Sequence, residues 1–389
     1  MRILMAHNYY QQAGGEDSGF RAETKLLQQH GHEVVTYTDT NQRINEMNKV
    51  VVAQQMIWSG PTQQKLKTLI QEFQPDVVHF HNTFMMISPA AYHLCHSLGV
   101  PVIRTIQNYR HSCLNSFLFR NNQVCEDCLN KAIPLPGIIH ACYRDSHIQS
   151  LAVASMLVTH RALGTWQKQV DRFVTVTNFM REKLIEAGLP AEKIVIKPNF
   201  SDLKSENPNA TGSYVLFLGR FSAEKGVMTL LRAWQKLSTP IPLIMLGDGP
   251  LWNEVQQFIA TYQLQNINVI GWKQREEVVR YMEEARFLVQ PSIWYEGFPM
   301  TIVEAYGCGL PVIASKLGSM AEVVSDGQTG LHFQMGDADD LASKVSWAWQ
   351  NQKALALMSE NARRLFQERY TPEQNYQMLM NIYKQVARS

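Results

Sequence analysis

The segment YVLFLGRFSAEKGVMTLLRAWQKL, residues 214–237, joins a short apolar run to a longer helix-like stretch. The run YVLFLG is aliphatic and aromatic, which is typical of a buried strand. In GVMTLLRAWQKL the apolar residues recur at the spacing of one helix face. A strand followed directly by a helix is a βα unit, and repeated βα units build a parallel sheet covered by helices. The segment therefore predicts an α/β fold.

The same alternation runs along most of the chain. Before residue 200 the strand-like runs are RILMAH, EVVTYT, PDVVHFH, PVIRTIQ and DRFVTVT, and after it they are PLIMLG, NINVIG, RFLVQPS and PVIAS. The chain has 389 residues, more than one hydrophobic core usually supports. Residues 197–213 are rich in Pro, Asn, Ser and Gly without an apolar period, which predicts a linker.

These patterns predict two doubly wound domains, over residues 1–200 and 201–370, followed by a helix over residues 371–389. Thr371 suits the N-cap of that helix and Pro372 its first turn. Ligands of doubly wound folds bind beyond the carboxyl ends of the strands. We therefore expect the ligand in a cleft between the two domains.

The charge balance argues against nucleic acid as the main partner. The chain has 36 basic and 34 acidic residues, a formal charge of +2, and an ordinary 45% of hydrophobic residues. The N-terminal residues lack the apolar core and cleavage site of a signal peptide, and no run has the length of a membrane span. A soluble, cytoplasmic protein is the simplest interpretation.

Two cations lie in the loop of the opening segment. Arg220 directly follows the strand and Lys225 directly precedes the helix. Two cations beside a helix N-terminus can converge on a diphosphate. A basic residue near a helix start is common, so each position alone is a weak signal.

Two acids bracket a second strand-to-helix turn in EGFPMTIVEA, residues 296–305. Pro299 is well placed to open a helix, so Glu296 lies in the loop and Glu304 within the helix. Carboxylates accept paired hydrogen bonds from vicinal diols, and the helix N-terminus between them attracts an anion. A nucleotide sugar offers both groups. The alternative is a pair of acids that face solvent.

Several motifs together resemble the family 4 retaining glycosyltransferases. They are G-R-x-x-x-E-K-G at residues 219–226, the two acids Glu296 and Glu304, EVVSDGQTGLHF at 322–333 and the tail RYTPEQNYQMLMNIY. HNYYQQAGGEDSG, DVVHFHNTF and residues 170–200 are also similar, so the resemblance covers nearly the whole chain. It implies a GT-B fold, in which two Rossmann-like domains face a cleft and the C-terminal helix returns to the first domain.

The resemblance also implies roles for individual residues. The implied catalytic residues are His81, Arg220, Lys225 and Glu296. The implied donor-binding residues are Gly14, Gly15, Gly219, Arg220, Lys225, Gly297, Phe298, Pro299, Met300 and Glu304. Without the resemblance, His81 would be interpreted as a structural histidine and the two early glycines as a turn. Relatives often have His where this chain has Gln107, which cannot act as a general base.

No D-x-D motif stands at a strand end, because residues 337–339 are better interpreted as a helix N-cap. Transfer without a metal or another cofactor is therefore expected. A Cys-rich insertion, residues 111–145, carries Cys113, Cys125, Cys128 and Cys142, and the Cys-x2-Cys pair suits zinc. Both a structural zinc site and reduced thiols remain open.

The segment IQSLAVASMLVTHRALGTW is apolar nearly all round. A buried core helix is the preferred interpretation, and the alternative is a peripheral membrane contact at the inner face of the membrane.

The predicted activity is the transfer of a hexosyl group from a nucleoside diphosphate sugar to a hydroxyl of a glycan or lipid-linked glycan. The acceptor hydroxyl would meet the anomeric carbon on the side of the leaving phosphate. The alternatives are a nucleotide-sugar epimerase, a sugar phosphorylase, and a non-catalytic module that binds nucleotide sugars.

Overall fold

A computed structural model describes residues 1–12, 14–203, 205 and 212–387 of the chain. The described residues form two compact units. The first unit comprises Met1–Leu118, Glu126–Asn199 and Asn375–Ser389, and the second comprises Phe119–Cys125 and Phe200–Gln374. The predicted linker at 197–213 lies partly outside the described residues, because 204 and 206–211 are not among them.

The elements follow one another as alternating strands and helices. In chain order the strands are β1 (Arg2–Tyr9), β2 (Glu33–Thr40), β3 (Val77–Phe80), β4 (Val102–Thr105), β5 (Phe119–Arg120), β6 (Gln123–Val124), β7 (Arg172–Thr175), β8 (Ile194–Ile196), β9 (Tyr214–Leu218), β10 (Leu243–Leu246), β11 (Ile267–Gly271), β12 (Ala285–Gln290), β13 (Val312–Ser315) and β14 (Gly330–Phe333).

The helices lie between the strands and after the last strand. They are α1 (Gly15–Gln29), α2 (Lys49–Ile57), α3 (Gly60–Phe73), α4 (Ala90–Ser97), α5 (Leu135–Ile139), α6 (His147–Ala162), α7 (Thr165–Lys168), α8 (Asn178–Glu186), α9 (Val227–Lys236), α10 (Trp252–Thr261), α11 (Arg275–Glu284), α12 (Met300–Gly307), α13 (Gly318–Val323), α14 (Ala338–Gln350), α15 (Gln352–Arg369) and α16 (Pro372–Val386). Short 3-10 helices lie at Asn41–Glu46, Ala191–Lys193 and Ala223–Lys225.

The first unit is built on a six-stranded parallel sheet with the order β2-β1-β3-β4-β7-β8. Its central strands are buried apolar runs, as expected for a sheet covered by helices on both faces. The order reverses between β1 and β3. In such a sheet a crevice opens beyond the carboxyl ends of the two strands at the reversal.

The second unit repeats this design with the order β11-β10-β9-β12-β13-β14, again with parallel pairing throughout. This is the Rossmann order, and it reverses between β9 and β12. Two buried apolar clusters cover the sheet, one centred on α9 and α14 and the other on α12 and α15. The predicted doubly wound α/β architecture is confirmed.

The C-terminal helix α16 belongs to the apolar core of the first unit. Leu379, Ile382 and Tyr383 pack there with Met5 and Val77 of the sheet. The helix begins at Pro372, and the amide of Gln374 donates to Oγ1 of Thr371 at 3.3 Å, as the sequence predicts for an N-cap.

Helix α6 differs from the prediction of a fully buried helix. One side of it, including Val153 and Leu157, is buried, but Ile148 is 80% and Leu151 53% exposed. Helices α2 and α5 pack against it, and they cover only part of its surface. Within the described part of the chain, no helix combines the length and the apolar character needed to cross a bilayer.

The Cys-rich insertion is not one compact piece. Its hairpin, β5 with β6, groups with the second unit, whereas the flanking residues belong to the first. The sequence pattern places all of residues 111–145 in the predicted N-terminal domain.

Candidate active site

The order reversal of the second sheet brings the predicted charged residues to one edge. Strand β9 ends at Leu218 and leads into Gly219 and Arg220, and β12 ends at Gln290 and leads into the loop that contains Glu296. Because β9 and β12 are paired and parallel, both loops leave the same edge of the sheet.

The two loops are locked together by backbone contacts. The amide of Ile293 donates to the carbonyl of Glu224 at 2.8 Å. Gly226 adopts a φ of +69°, and a Cβ there would lie 1.8 Å from the carbonyl oxygen of Pro291. Only glycine tolerates this combination of positive φ and close approach. The glycine of the G-R-x-x-x-E-K-G motif therefore positions Lys225 against the neighbouring loop.

Lys225 and Glu296 form an ion pair in which Nζ lies 2.7 Å from Oε1. Glu296 is only 6% exposed and also accepts a hydrogen bond from Oγ of Ser292 at 2.7 Å. Nζ of Lys225 lies 5.5 Å from the ring centre of Trp294. The carboxylate is held in one position, and the ammonium group is partly accessible to an incoming anion.

Arg220 is exposed at the end of β9. Among the described residues, no carboxylate lies within ion-pair distance of its guanidinium group. Its neighbours are anchored, since the amide of Gly219 donates to the carbonyl of Leu246 at 3.0 Å and Phe221 is completely buried. The structure therefore presents Arg220 as a cation available to a ligand.

The N-terminus of α12 lies in the same loop. Pro299 is its N-cap residue and Met300 its first residue, one position later than the sequence suggests. The carbonyl of Gly297 accepts a hydrogen bond from Oγ of Ser319 at 3.2 Å, and Phe298 packs at 6.2 Å from Tyr370, measured between ring centres. The predicted donor-binding segment 297–300 is thus an ordered loop and helix start.

Glu304 lies in the middle of α12. Burial raises the pKa of Glu304, Arg275 opposes the rise, and Asp202 adds to it. Arg275 itself pairs with Asp202 at 2.5 Å. Glu304 therefore offers a half-buried carboxyl group next to a cation at the edge of α12.

The order reversal of the first sheet gathers the other predicted residues. Gly14 and Gly15 follow β1, and His81 directly follows β3. Gly14 is the N-cap of α1 in an extended conformation, and no atom lies within 4 Å of a Cβ built at either glycine. The fold itself does not require glycine here, so the close approach of a ligand stays a prediction for these two positions.

His81 is 4% exposed and is held by a carboxylate that the sequence analysis missed. Nε2 of His81 lies 3.0 Å from Oε1 of Glu23, a residue of α1 that is 3% exposed. Nδ1 of His81 is buried without a hydrogen-bond partner in the protein. If Glu23 accepts the Nε2 proton, Nδ1 carries the lone pair and can accept a hydrogen bond.

Glu23 is the centre of a buried network in the first unit. Its other oxygen lies 2.6 Å from Nζ of Lys197, and that ammonium group also donates to Oδ1 of Asn375 at 3.1 Å. Nδ1 of His79 lies 3.3 Å from Oε1 of Glu23 and forms a hydrogen bond with the hydroxyl of Tyr383 at 2.8 Å. Helix α16 is thus hydrogen-bonded to His79 of β3 through Tyr383 and to Lys197 through Asn375.

The electrostatics of this network follow from its burial. Burial alone would raise the pKa of Glu23, but Lys197, His81 and His79 hold it well below its ordinary value. Burial lowers the pKa of His79 far enough to keep its ring neutral despite Glu23. Glu23, His79 and His81 could together ligate a metal, but the ammonium group of Lys197 already neutralises Glu23.

Two sequence signals could have revealed the network. His79 of β3 and His81, which directly follows this strand, are two positions apart and so lie on the same face, and Lys197 directly follows the apolar strand β8. Lys197 is also the first residue of the predicted linker, residues 197–213. A lysine at the end of an apolar strand is a signal for a buried ion pair.

Gln107, the position where relatives often have His, pairs with Asn199. The amide of Gln107 donates to Oδ1 of Asn199 at 3.1 Å, and the amide of Asn199 donates back at 2.9 Å. These two hydrogen bonds connect the loop after β4 to Asn199, the last residue of the segment Glu126–Asn199 of the first unit. Gln107 therefore has a structural partner and no group that could take a proton.

In the part of the chain that the structure describes, no three cysteines bring their sulfur atoms within 4.8 Å of one another. Among the described residues, only Glu23, His79 and His81 place three such ligand atoms within 4.8 Å of one another. Burial raises the pKa of Cys113, and its thiol donates to Oδ1 of Asn115 at 2.8 Å. Zinc at Cys113, Cys125, Cys128 and Cys142 stays a prediction, and the geometry of the first unit gives it no support.

Replacing Glu23 by Gln should destabilise the protein by roughly 3–5 kcal/mol at pH 7, because Lys197 would remain buried without a counter-ion. The folded pKa of Glu23 is depressed, so its contribution is present above the unfolded value and is lost as the pH falls through the folded value. The variant should therefore lose less stability than the wild type on acidification. Urea unfolding over a pH series measures both effects.

The exposed Glu192 provides a matched control, and Glu192→Gln should change stability by no more than about 0.5 kcal/mol. In the double variant Glu23→Gln/Lys197→Met, part of the lost stability should return. A Glu23→Gln protein with the stability and pH profile of the wild type would contradict the assignment of the network.

Two family models match adjoining parts of the chain. Residues 199–365 match Glycosyl transferases group 1, and residues 14–205 match Glycosyltransferase Family 4. The first covers most of the second unit, and the second covers most of the first.

Individual proteins agree with these matches. An uncharacterised glycosyltransferase of Methanocaldococcus jannaschii is 24% identical over 389 residues, which is 100% of this chain and 99% of that protein. The amylovoran biosynthesis glycosyltransferase AmsK of Erwinia amylovora is 26% identical over 233 residues, 56% of this chain and 57% of AmsK. The crystal structure of Anabaena HepE in complex with UDP superimposes with a TM-score of 0.70 and 17% identity, covering 99% of this chain and 100% of HepE.

The matched family models support the same conclusion as the structure. The structure has two parallel-sheet units, with charged residues at the order reversals. The fold is GT-B, and the chain belongs to glycosyltransferase family 4 within the glycosyl transferases group 1.

Proposed function

We propose that this protein is a retaining, metal-independent glycosyltransferase. It transfers a hexosyl group from a nucleoside diphosphate sugar to a hydroxyl of a glycan or lipid-linked glycan in polysaccharide biosynthesis. The observation that carries the proposal is the meeting of Arg220, Lys225 and Glu296 at the order reversal of the second sheet. The role of AmsK in amylovoran biosynthesis supports a polysaccharide pathway.

In this proposal the second unit binds the donor. Arg220 and Lys225 contact the diphosphate, with the amides of residues 297–300 around the phosphate and the sugar. Glu304 accepts hydrogen bonds from the ribose hydroxyls, and its half-buried position suits a carboxyl that exchanges water for a diol. Glu296 accepts hydrogen bonds from the sugar. When Lys225 binds the diphosphate instead of Glu296, the carboxylate of Glu296 can accept a hydrogen bond from the sugar.

The reaction breaks the bond between the anomeric carbon and the phosphate oxygen and forms a bond from that carbon to the acceptor oxygen. The negative charge that develops on the leaving diphosphate is stabilised by Arg220 and Lys225, which are positioned before the reaction begins. The acceptor attacks from the side of the leaving group, and its proton passes to the departing phosphate oxygen. His81, held by Glu23 through Nε2, offers Nδ1 as an acceptor for a sugar hydroxyl.

Thermal stabilisation by UDP, GDP, CDP and ADP tests donor binding, because a ligand that binds only the folded protein raises its melting temperature. We expect one nucleotide to act, and the HepE complex makes UDP the first to test. Glu304→Ala should lose the shift, whereas Glu254→Ala, at an exposed position of α10, should keep it. If no nucleotide shifts the wild type, the donor site is not where we place it.

Lys225→Ala and Arg220→Ala should each lower acceptor-dependent release of nucleoside diphosphate about 100-fold or more, the loss seen when a preorganised charge-stabilising group is removed. Lys236→Ala, which removes an exposed ammonium group of α9, serves as the control and should keep full turnover. Turnover close to that of the wild type in both variants would rule out the proposed roles.

The same assay examines stereochemistry and metal dependence. The product anomer, determined by NMR, should have the configuration of the donor, and a chelator should leave the rate unchanged. Inversion of configuration or loss of activity with the chelator would overturn the corresponding part of the proposal. An epimerase or phosphorylase would not need the acceptor, and a binding module would transfer nothing.

The protein is proposed to work in the cytoplasm, in peripheral contact with the inner face of the membrane. The exposed apolar side chains of α2 and α6, among them Val50 and Ile148, support this location because large exposed apolar groups favour an interfacial partner. The protein should sediment with anionic vesicles at low salt, and Ile148→Ser should reduce the bound fraction. Absence of sedimentation by the wild type would refute the contact.

A further inference from the structure

The first unit contains a partly open cavity that the proposed mechanism does not use. It lies among α2, the loop of residues 83–89, α4, β4, α6 and α7. Its apolar lining comprises Met56, Phe84, Tyr92, Met156, Leu157 and Trp166. The polar lining is unusual for such surroundings, because it includes Arg104, Arg110 and His111.

Arg104 is a buried cation, with 8% of the residue exposed. One terminal nitrogen donates to the carbonyl oxygen of His81 at 2.5 Å, and its Nε is buried without a partner in the protein. A backbone carbonyl carries no net charge, so this contact satisfies a hydrogen bond and leaves the guanidinium charge uncompensated.

Arg110, which also lines the cavity, has a similar arrangement. Its terminal nitrogens donate to the carbonyl of Leu114 and to Oγ of Ser116, and its guanidinium carbon lies 4.1 Å from the ring centre of Phe84. Its Nε is also buried without a partner. All of the contacts named here are to neutral groups.

The acids of the neighbourhood do not compensate these charges. Among the described residues, no carboxylate lies within ion-pair distance of Arg104 or Arg110. Glu23 pairs with Lys197, and Glu16 accepts hydrogen bonds from Asn108 at 2.7 Å and from Tyr10 at 3.2 Å. Buried charges are normally paired, so two unpaired guanidinium groups at one apolar cavity indicate that an anion completes it.

His111 adds a third polar group. The residue is 6% exposed, and its Nδ1 is buried without a partner in the protein. Burial, reinforced by Arg104 and Arg161, lowers the pKa of His111 to about 3, so the ring is neutral and can donate one N–H. Three buried nitrogen atoms without partners thus belong to residues that line the same cavity.

We propose that this cavity binds the oxyanion of an amphiphilic acceptor, namely a phosphate or carboxylate attached to an apolar group. Two guanidinium groups suit the paired oxygens of such an anion, and the apolar walls suit the attached carbon chain. The assignment of the ligand as an acceptor rests on the proposed transferase function. It is supported by Arg104, which contacts the backbone of His81 with one nitrogen and lines the cavity.

Calorimetric titration with butyl phosphate, inorganic phosphate, butyrate and butanol tests this site. The titration uses the Arg220→Ala/Lys225→Ala protein, so that the proposed donor site cannot contribute phosphate binding. Butyl phosphate or butyrate should bind about tenfold more tightly than inorganic phosphate and butanol, since each of these lacks one half of the interaction. Tighter binding of butyl phosphate identifies a phosphate acceptor, and tighter binding of butyrate identifies a carboxylate acceptor.

Arg104→Met and Arg110→Met should each weaken binding about tenfold or more, as expected for the loss of a hydrogen-bonded charge. Arg181→Met, which alters a half-buried arginine paired with Glu182 away from the cavity lining, should have no effect. If either Met variant fails to fold, the corresponding Lys variant keeps the charge, loses the paired geometry and should still bind more weakly.

Equal binding of butanol, or binding that neither arginine substitution weakens, would overturn the inference. A nucleotide shift in the wild type without butyl phosphate or butyrate binding would refute the anion site alone. Arginine-dependent binding of either compound without any nucleotide shift would keep the anion site and refute its role in acceptor binding.

Discussion

A doubly wound parallel sheet has one pair of neighbouring strands from which the chain departs to opposite faces, and this leaves a crevice beyond their carboxyl ends. Both units of this protein obey that constraint, between β1 and β3 in the first and between β9 and β12 in the second. The residues with functional chemistry follow those four strands. The constraint explains why Lys225 and Glu296, which are 71 positions apart, form an ion pair.

Buried and half-buried charges of the first unit occur in two contrasting arrangements. Around Glu23 every charge has a partner, because Lys197, His79 and His81 surround one carboxylate and bind helix α16 to the sheet. Around Arg104 and Arg110 the hydrogen bonds lead to neutral groups, and no carboxylate in the described part of the chain lies within ion-pair distance of either side chain. The first arrangement stabilises the folded chain by itself, whereas the second is the kind that a bound anion would complete.

Features with a local sequence signal agree with their predictions. Alternating apolar runs and helical periods predicted the two α/β units, Asp337 caps α14 as the pattern indicated, and Thr371 with Pro372 starts α16. The prediction of a fully buried α6 was wrong, since the apolar surface of this helix is only partly covered. The spacing of apolar residues shows which of them can be buried, but it does not show which neighbouring elements are available to cover them. The role of Glu23 was not predicted, because its local sequence is the same as that of an acidic residue on an exposed helix face.

Local sequence patterns are sufficient to predict the order and type of the elements, the glycine that the Lys225 loop requires, and the charged residues that follow the strands. These properties depend on periodicity, capping and backbone conformation over a few neighbouring residues. Only the tertiary structure decided that Glu23 meets His81, 58 positions away, and Lys197, 174 positions away, and that His79 meets Tyr383 across 304 positions. Such pairs depend on the order of strands in the sheet and on the energy of burying a charge, and neither is encoded in any short stretch of sequence.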